Sequence, residues 1–581
     1  MWTARSRQPM ANIAAISRCF PRCGRSAIRG QRRYAGNGPS TRGQATSSSR
    51  WFWNSLGLAG TGTAAFLAYS YITSQGSQVE GPIEPKSETL SKFSGDLGSE
   101  FAQKKRSVMS PGVYVWGTNA YRVVDPDSKE TVIKTPRRIS YFDDQVLRDL
   151  KIGDKSGAAI TENGDLVQWG QGYSETDFRP TKTLTGKNLT SLCMSNDRIL
   201  ALSSDGNVYS LPIAKDDQAS GRKPKESSWI PFWSGTAGVS YRSLQPSLKL
   251  GERITTISGG LEHALLLTNY GRVFSVASST ESYPSHGQLG VPDLTWATRP
   301  KGPVDTCHEV TALKGSKITQ IATGDYHSLA LAKDGSLFAF GDNSFGQLGV
   351  QFDPSLPFSN TPVLLSLEKL YRGKIWLPKV TGIAAGGANS FFTVDAKRIV
   401  GPGENPSAIR DLDRITADIW TCGRGIWGAL GNGKWSHLQD EPTKVKGLSG
   451  LFEYDEHAKT LSPIRLHEIS VGTTHVSAVM DNKTHVQASP TTSLDSRDDW
   501  GFDALWWGGN EHYQLGTGRR SNLCKPTYIS APLETGGDDK KEEEARLQIM
   551  PRHKGKVGSR TVSMEQHVEC GRHISAIYSS V

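Results

Sequence analysis

Four histidines stand in similar surroundings and are the first candidates for chemistry. Gly260-Leu-Glu-His263, Gly324-Asp-Tyr-His327, Gly472-Thr-Thr-His475 and Gly571-Arg-His573 each place an imidazole shortly after a glycine and ahead of a short apolar run. An imidazole can bind a metal, act as a general base or shuttle a proton. Each role needs partners that converge on the ring, and no Ser-His-Asp set or paired-carboxylate motif can be assembled locally around any of the four. Two glycine-rich stretches have phosphate-cradle spacing. Gly423-Arg-Gly425-Ile-Trp-Gly428 fits Gly-x-Gly-x-x-Gly, but a dinucleotide site needs a helix to open there, and Ala429-Leu-Gly-Asn-Gly-Lys-Trp435 is too glycine-rich for one. Gly428 to Lys434 fits Gly-x-x-x-x-Gly-Lys, but Trp435 stands where Ser or Thr would bind Mg²⁺. Five cysteines beyond the first fifty residues are scattered without a Cys-x-x-Cys, which argues against a zinc site or a disulfide framework. No catalytic residue, cofactor or metal is expected, and the chain reads as a non-enzyme.

The elements that carry these histidines are short strands. From Ile318 to Val350, three short apolar runs are separated by glycine turns, and Lys333-Asp334-Gly335 is a hairpin signal, since Asp-Gly tolerates the positive φ of a tight turn. Such a unit cannot cover both faces of its own sheet, so it should recur. It does. One copy holds His263 and His286-Gly-Gln-Leu-Gly290. Another holds His475, Trp507-Gly508 and Gln514-Leu-Gly516. Weaker copies place Ser156, Arg198 and Asn389 where the histidine is expected. The ends hold half a unit each, Gly112-Val-Tyr-Val-Trp-Gly117 and Cys570 to Ile577. Joined, they make one more, for seven in all. The expectation is an all-β, seven-bladed propeller over residues 110–581, with the terminal strands sharing one blade and closing the ring.

These residues resemble the repeat of the regulator of chromosome condensation family: an aliphatic strand ending in Gly, then His-Ser-x-Ala-Leu, a Gly turn, Trp-Gly and Gly-Gln-Leu-Gly. The resemblance covers about four fifths of the chain. It implies that the histidines are structural and bond between backbone segments. On the same footing it assigns structural roles to Gly260, Gly324, Gly335, Gly341, Gly349, Gly472, Gly508 and Gly516.

The pI near 9.1 suggests nucleic acid, but the charge is not in the propeller. Residues 1–50 contain ten Arg, no Lys and no acid, which leaves 57 basic and 57 acidic residues in the rest. No global nucleic-acid footprint remains. An Arg-rich, acid-free leader has the composition of a mitochondrial transit peptide, here residues 1–34. Residues 51–73 are uncharged and, as a helix, about 34 Å long, enough to cross a bilayer. Residues 74–109 form a polar tether. Positive charge before the span and acidic residues after it favour the intermembrane space for the propeller over the matrix.

Long insertions interrupt the repeats, and loops of that length in a compact domain carry function or disorder. Trp229, Phe232 and Trp233 in the first of them form a candidate partner patch. The layout looks like the fungal inner-membrane members of the family linked to assembly of respiratory complexes, chiefly complex III. The resemblance also allows a guanine-nucleotide exchange factor for a mitochondrial GTPase, and more weakly a mitoribosome-associated role.

Overall fold

The computed structural model describes residues 99–227, 234–371, 375–455, 459–482, 484–485, 499–531 and 546–581. The leader 1–34, the span 51–73, most of the tether and the patch Trp229, Phe232 and Trp233 lie outside the described residues. Among the described residues no helix is long and apolar enough to cross a membrane.

The central unit shows why the sequence folds as it does. Strands Ile318–Thr323, His327–Ala332, Leu337–Asp342 and Phe358–Leu364 pair antiparallel in chain order. Gly335 makes the tight turn between the second and third at φ 94°. Every residue of the second strand is buried, because side chains on both of its faces meet a neighbouring sheet. Leu265, Leu267 and Val273 of one sheet pack on Ala330, Ala332 and Phe340 of the next. Leu329, Leu331 and Ala339 pack on Phe392 and Val394 of the one after. The core is therefore a series of layers between sheets, and no sheet has a dry face of its own.

The all-β propeller is the observed fold. Its sheet count differs from the expectation: five blades of four or five strands stand as separate sheets, where seven were expected. The remaining repeats share one nine-stranded sheet. One half holds Leu147–Ile152, Gly157–Thr161, Leu166–Trp169 and Thr181–Lys182. The other holds His553–Val557, Arg560–Cys570, Ile574–Ser580, Val113–Thr118 and Val132–Arg138. They merge because the carboxy-terminal strand runs far enough to bridge Leu147 through Ser580, and the Val581 N–H donates to the Leu147 carbonyl at 3.1 Å. The two chain ends do pair: Val113 to Gly117 align antiparallel with Tyr578 to Ile574.

Six of the innermost strands carry a bulge, at the second residue in five and at Thr381 in Trp376–Gly386, with register shifts at Leu147/Asp149, Leu189/Ser191, Ile254/Thr256, Ile318/Gln320, Val380/Gly382 and Leu466/Glu468. Threonine occupies that position in four, and the Thr190, Thr255, Thr319 and Thr381 hydroxyls donate to carbonyls on the adjacent strand at 3.2–3.4 Å. Insertions lengthen the blade of Trp376–Gly386 and Asn389–Arg398 and add a hairpin, Phe452–Asp455 with Thr460–Pro463. The tether ends in a helix, Ser99–Met109, where a polar linker was expected. It docks because Gln103 Nε2 donates to the Gln548 carbonyl at 2.9 Å and Gln566 Nε2 to Ser107 Oγ at 3.0 Å, both in buried surroundings.

Candidate functional site

Around the axis runs a cavity of about 660 Å³. Its wall comprises 151–156, 192–196, 257–261, 321–325, 383–387, 468–473 and 568–572, the carboxy-terminal ends of successive inner strands. At one mouth the backbones of neighbouring repeats bond directly. Asn196 N–H donates to Leu261 O at 3.0 Å, Leu261 N–H to Asp325 O at 3.1 Å and Asp325 N–H to Gly387 O at 2.7 Å. This approach explains one class of repeat glycine. A Cβ on Gly324 would lie 2.6 Å from the Gly387 carbonyl oxygen, and Gly260 and Gly472 are hemmed in likewise by the carbonyls of Gly324 and Gly571. Gly341 shows the second class: its φ is 105°, which side-chain-bearing residues rarely adopt. Gly349, Gly508 and Gly516 share positive φ.

The repeat histidines are clasps between blades. His263, His327 and His475 are fully buried, and their Nε2 atoms lie 2.8 Å from the hydroxyls of Ser328, Ser390 and Ser575 in the next repeat. Those hydroxyls in turn reach the main-chain oxygens of Gln288, Gln347 and Gln514 at 3.1, 2.6 and 2.7 Å. A carbonyl only accepts, so each serine proton goes to glutamine, and each serine oxygen must accept from the imidazole. Nε2 therefore carries the proton and Nδ1 is a bare, buried nitrogen without a partner. Protonating it would bury an unpaired charge. Burial accordingly depresses the three imidazoles to about 3, 4 and 3. Ser328 follows His327, and Gln288 and Gln347 stand in Gly-Gln-Leu-Gly, whereas Ser390 follows Asn389, Ser575 follows Ile574 and Gln514 follows Tyr513; only the fold shows that these groups meet.

His573 does not belong with these three. Gly117 pairs with Ile574, in the register where Gly341 pairs with His327 and Gly508 with His475. Ile574 thus occupies the clasp position and His573 precedes it by one. Its ring is part-exposed at the channel mouth, with Nδ1 3.1 Å from Asp154 and its centroid 4.7 Å from that of His512. Arg572 beside it lies 3.9 Å from Asp154. It also acts across the mouth on Asp325, whose carboxyl burial pushes up to about 6 against the pull of that guanidinium.

The loops after the third strands rise at the same end. There Arg424 stacks between Phe345 and Trp427, with its guanidinium 4.6 and 4.5 Å from the ring centroids. Arg299 lies 4.3 Å from the ring of Trp296, which is 61% exposed. Trp435 and Ile426 are exposed nearby in sequence. The Gly423–Gly428 stretch is part of this loop set and opens no helix.

Inside the channel lies one ionic cluster. Lys151 Nζ is 2.8 Å from Glu569 and 3.8 Å from Asp149, and His567 bridges Glu468 at 3.2 Å and Glu565 at 3.4 Å. Burial raises Glu569 to about 7 although Lys151 opposes it. Burial would lower His567, but its two carboxylates outweigh it and hold it up. The cluster joins three adjacent inner strands where the ring closes. The thiols of Cys193, Cys422 and Cys570 are buried and pushed up to about 12, which leaves them without nucleophilic thiolate at neutral pH. Among the described residues no group of three or more His, Cys, Asp or Glu is placed to hold a metal ion. The arrangement can hold blades together and can bind with its loops.

The regulator of chromosome condensation (RCC1) repeat family matches the chain over residues 318–347 and 334–393. The chain carries RCC1 repeats. It is 26% identical over 455 residues to "Protein FMP25, mitochondrial" of Saccharomyces cerevisiae, covering 74% of this chain and 67% of that one. It is 24% identical over 357 residues to "RCC1 domain-containing protein RUG3, mitochondrial" of Arabidopsis thaliana, covering 60% and 68%. Among solved structures, Prp20p from Saccharomyces cerevisiae, a structure described with its binding to Gsp1p and histones, superposes with a TM-score of 0.51 at 18% identity, covering 82% of this chain and 94% of that one. That likeness shows the RCC1 propeller fold.

Proposed function

We propose that this RCC1-repeat chain is a mitochondrial, non-enzymatic protein-interaction scaffold, anchored to the inner membrane by residues 51–73, that serves assembly of a respiratory chain complex, with complex III favoured. The observation that carries the reading is the division of labour within the repeats. The recurrent polar residues of the repeats are used in clasps between blades, and arginine–aromatic stacks and an exposed tryptophan stand on the mouth-face loops. Arginine sandwiched by aromatics and part-exposed tryptophan are the residue types that dominate protein interfaces. The mitochondrial names of the two relatives and the Arg-rich leader support the compartment.

Two outcomes are expected. Removing residues 1–34 abolishes import into isolated mitochondria, and undiminished uptake of the truncated chain would contradict the compartment. Arg424→Ala with Trp427→Ala weakens capture of the partner from detergent-solubilised mitochondria by about tenfold or more, since truncating an interface anchor typically costs more than 1 kcal/mol. The melting temperature stays within a few degrees. If the partner so captured is a GTPase whose nucleotide release the chain accelerates, the exchange-factor reading replaces the scaffold.

A further inference from the structure

The face opposite the channel mouth has a different chemistry. It is built from the turns between second and third strands, the connections into each inner strand, the 452–463 hairpin and the Ser99–Met109 helix. Here the acidic side chains are largely taken. Glu252 and Glu309 both bind Arg272, Asp418 binds Lys444, Asp395 binds Arg465, Glu565 binds Arg552 and Glu162 binds Arg560. A row of exposed lysines remains, none with an ion-pair partner among the described residues: Lys317, Lys333, Lys379, Lys446, Lys459 and Lys554. Three of them adjoin across two blades. Lys333 N–H donates to the Lys317 carbonyl at 2.9 Å, and the turn at Gly335 lies against Lys379. The acids left on these ends, Asp144, Asp205, Asp334, Glu368, Asp411, Glu453 and Asp481, are scattered among them.

Apolar side chains stand between the lysines. Leu377 is 59% exposed, two residues before Lys379. Tyr454 and Leu461 are cross-strand partners on the added hairpin, each 60% exposed, beside Lys459. Lysine with interspersed leucine and tyrosine is the composition of a surface that meets a bilayer headgroup layer. A nucleic acid would instead favour arginine forks and stacking aromatics. The point of chain entry agrees, since the helix that leads in from the amino-terminal segment docks on this face.

We propose that this lysine-rich face lies against an anionic lipid bilayer, so that the mouth face is presented away from the membrane to its protein partner. The inference rests on the anchored-scaffold reading only for the identity of the membrane. The chain from 74 to 98 spans at most about 90 Å when extended, too long to hold the propeller in one orientation. The lysine row supplies that orientation, and high salt should release it because surface charge is screened beyond about 8 Å at physiological ionic strength.

The test uses the full chain reconstituted into vesicles of phosphatidylcholine with or without phosphatidylglycerol. Nitroxides are attached at Leu377→Cys, at Leu461→Cys and, as a mouth-face control, at Trp435→Cys. With phosphatidylglycerol, the labels at 377 and 461 become accessible to oxygen and shielded from a water-soluble relaxant, while the label at 435 stays in water. The shift is lost in neutral vesicles, in high salt and in the variant with all six lysines changed to Gln, whose fold is checked by its melting temperature. Labels that remain in water in anionic vesicles, or enter neutral and anionic vesicles alike, overturn the proposal. Capture of a labelled single-stranded RNA by the six lysines without any lipid contact overturns it in favour of a nucleic-acid face. Alkaline extraction of the same vesicles reports on the span separately: loss of the chain to the supernatant refutes the anchor, while the charge-dependent contact still decides the face.

Discussion

Acidification from pH 7 to pH 4 destabilises the propeller, and His327→Gln reduces that loss by one proton. In the unfolded chain a histidine protonates near 6.5; in the fold His263, His327 and His475 resist protonation down to about 3, 4 and 3. Over that window the unfolded state holds more protons, so stability falls with pH, by about 3 kcal/mol for each histidine between pH 7 and 4. Groups raised in the fold act the other way, namely the carboxyls of Glu569, Asp325 and Asp149 and the imidazole of His567. Glu569, at about 7, and Asp325, at about 6, take up protons in the fold before they do in the unfolded chain, so the stability they contribute is present at low pH and lost as pH rises. Glu569 and Asp325 return roughly 5 kcal/mol against the roughly 9 lost by the histidines, and the lowered carboxyls of Glu252, Glu309 and Glu565, held by arginines and hydrogen bonds, add to the loss. A glutamine amide can still donate to Ser390 but cannot protonate. His327→Gln should therefore lower the slope of unfolding free energy by about 1.4 kcal/mol per pH unit near pH 5. Denaturant melts at several pH values measure it, and an unchanged slope would mean that the buried imidazole does not stay neutral.

Removing Ile574–Val581 leaves no cooperatively folded propeller. That strand lies between Arg560–Cys570 and Val113–Thr118 and also bridges Leu147. Its Ile574, Ala576 and Ile577 are essentially fully buried. Truncating one such isoleucine to alanine costs about 2–5 kcal/mol, and losing the whole strand exceeds the 5–15 kcal/mol that typically holds a domain. It also exposes two long strand edges to aggregation. The milder Ile577→Ala should lower the melting temperature by several degrees and leave the protein monomeric. A monomeric, sharply melting deletion variant would show that the ends do not close the ring.

Much of this architecture was legible because the repeat pattern depends on local features. Asp334-Gly335 marks its hairpin whatever surrounds it, and the two half-units at the ends predicted the pairing of Val113–Thr118 with Ile574–Ser580. The misplacement of His573 has a simple cause. Its motif lacks the residue of spacing that the other three have between Gly and His, and register is set by the strand partner, Gly117 to Ile574, which no local motif reports. The merger of the end repeats depends on a single bridge, Leu147 to Ser580. The clasps rest on contacts between residues of different repeats, with His327 and Ser390 63 positions apart. The lysine row was hidden for a related reason: the propeller sums to neutral, and only the fold shows which lysines share a face.

Site-specific photocrosslinking in intact mitochondria tests the central claim most directly. A photoreactive residue at Ile426, exposed on the mouth face, is expected to give a discrete protein adduct that Arg424→Ala abolishes. The same residue at Leu377, on the opposite face, is expected to give no protein adduct. An adduct from 377 with none from 426 would contradict the account, because the partner would then occupy the face assigned to the membrane and the mouth-face loops would hold nothing.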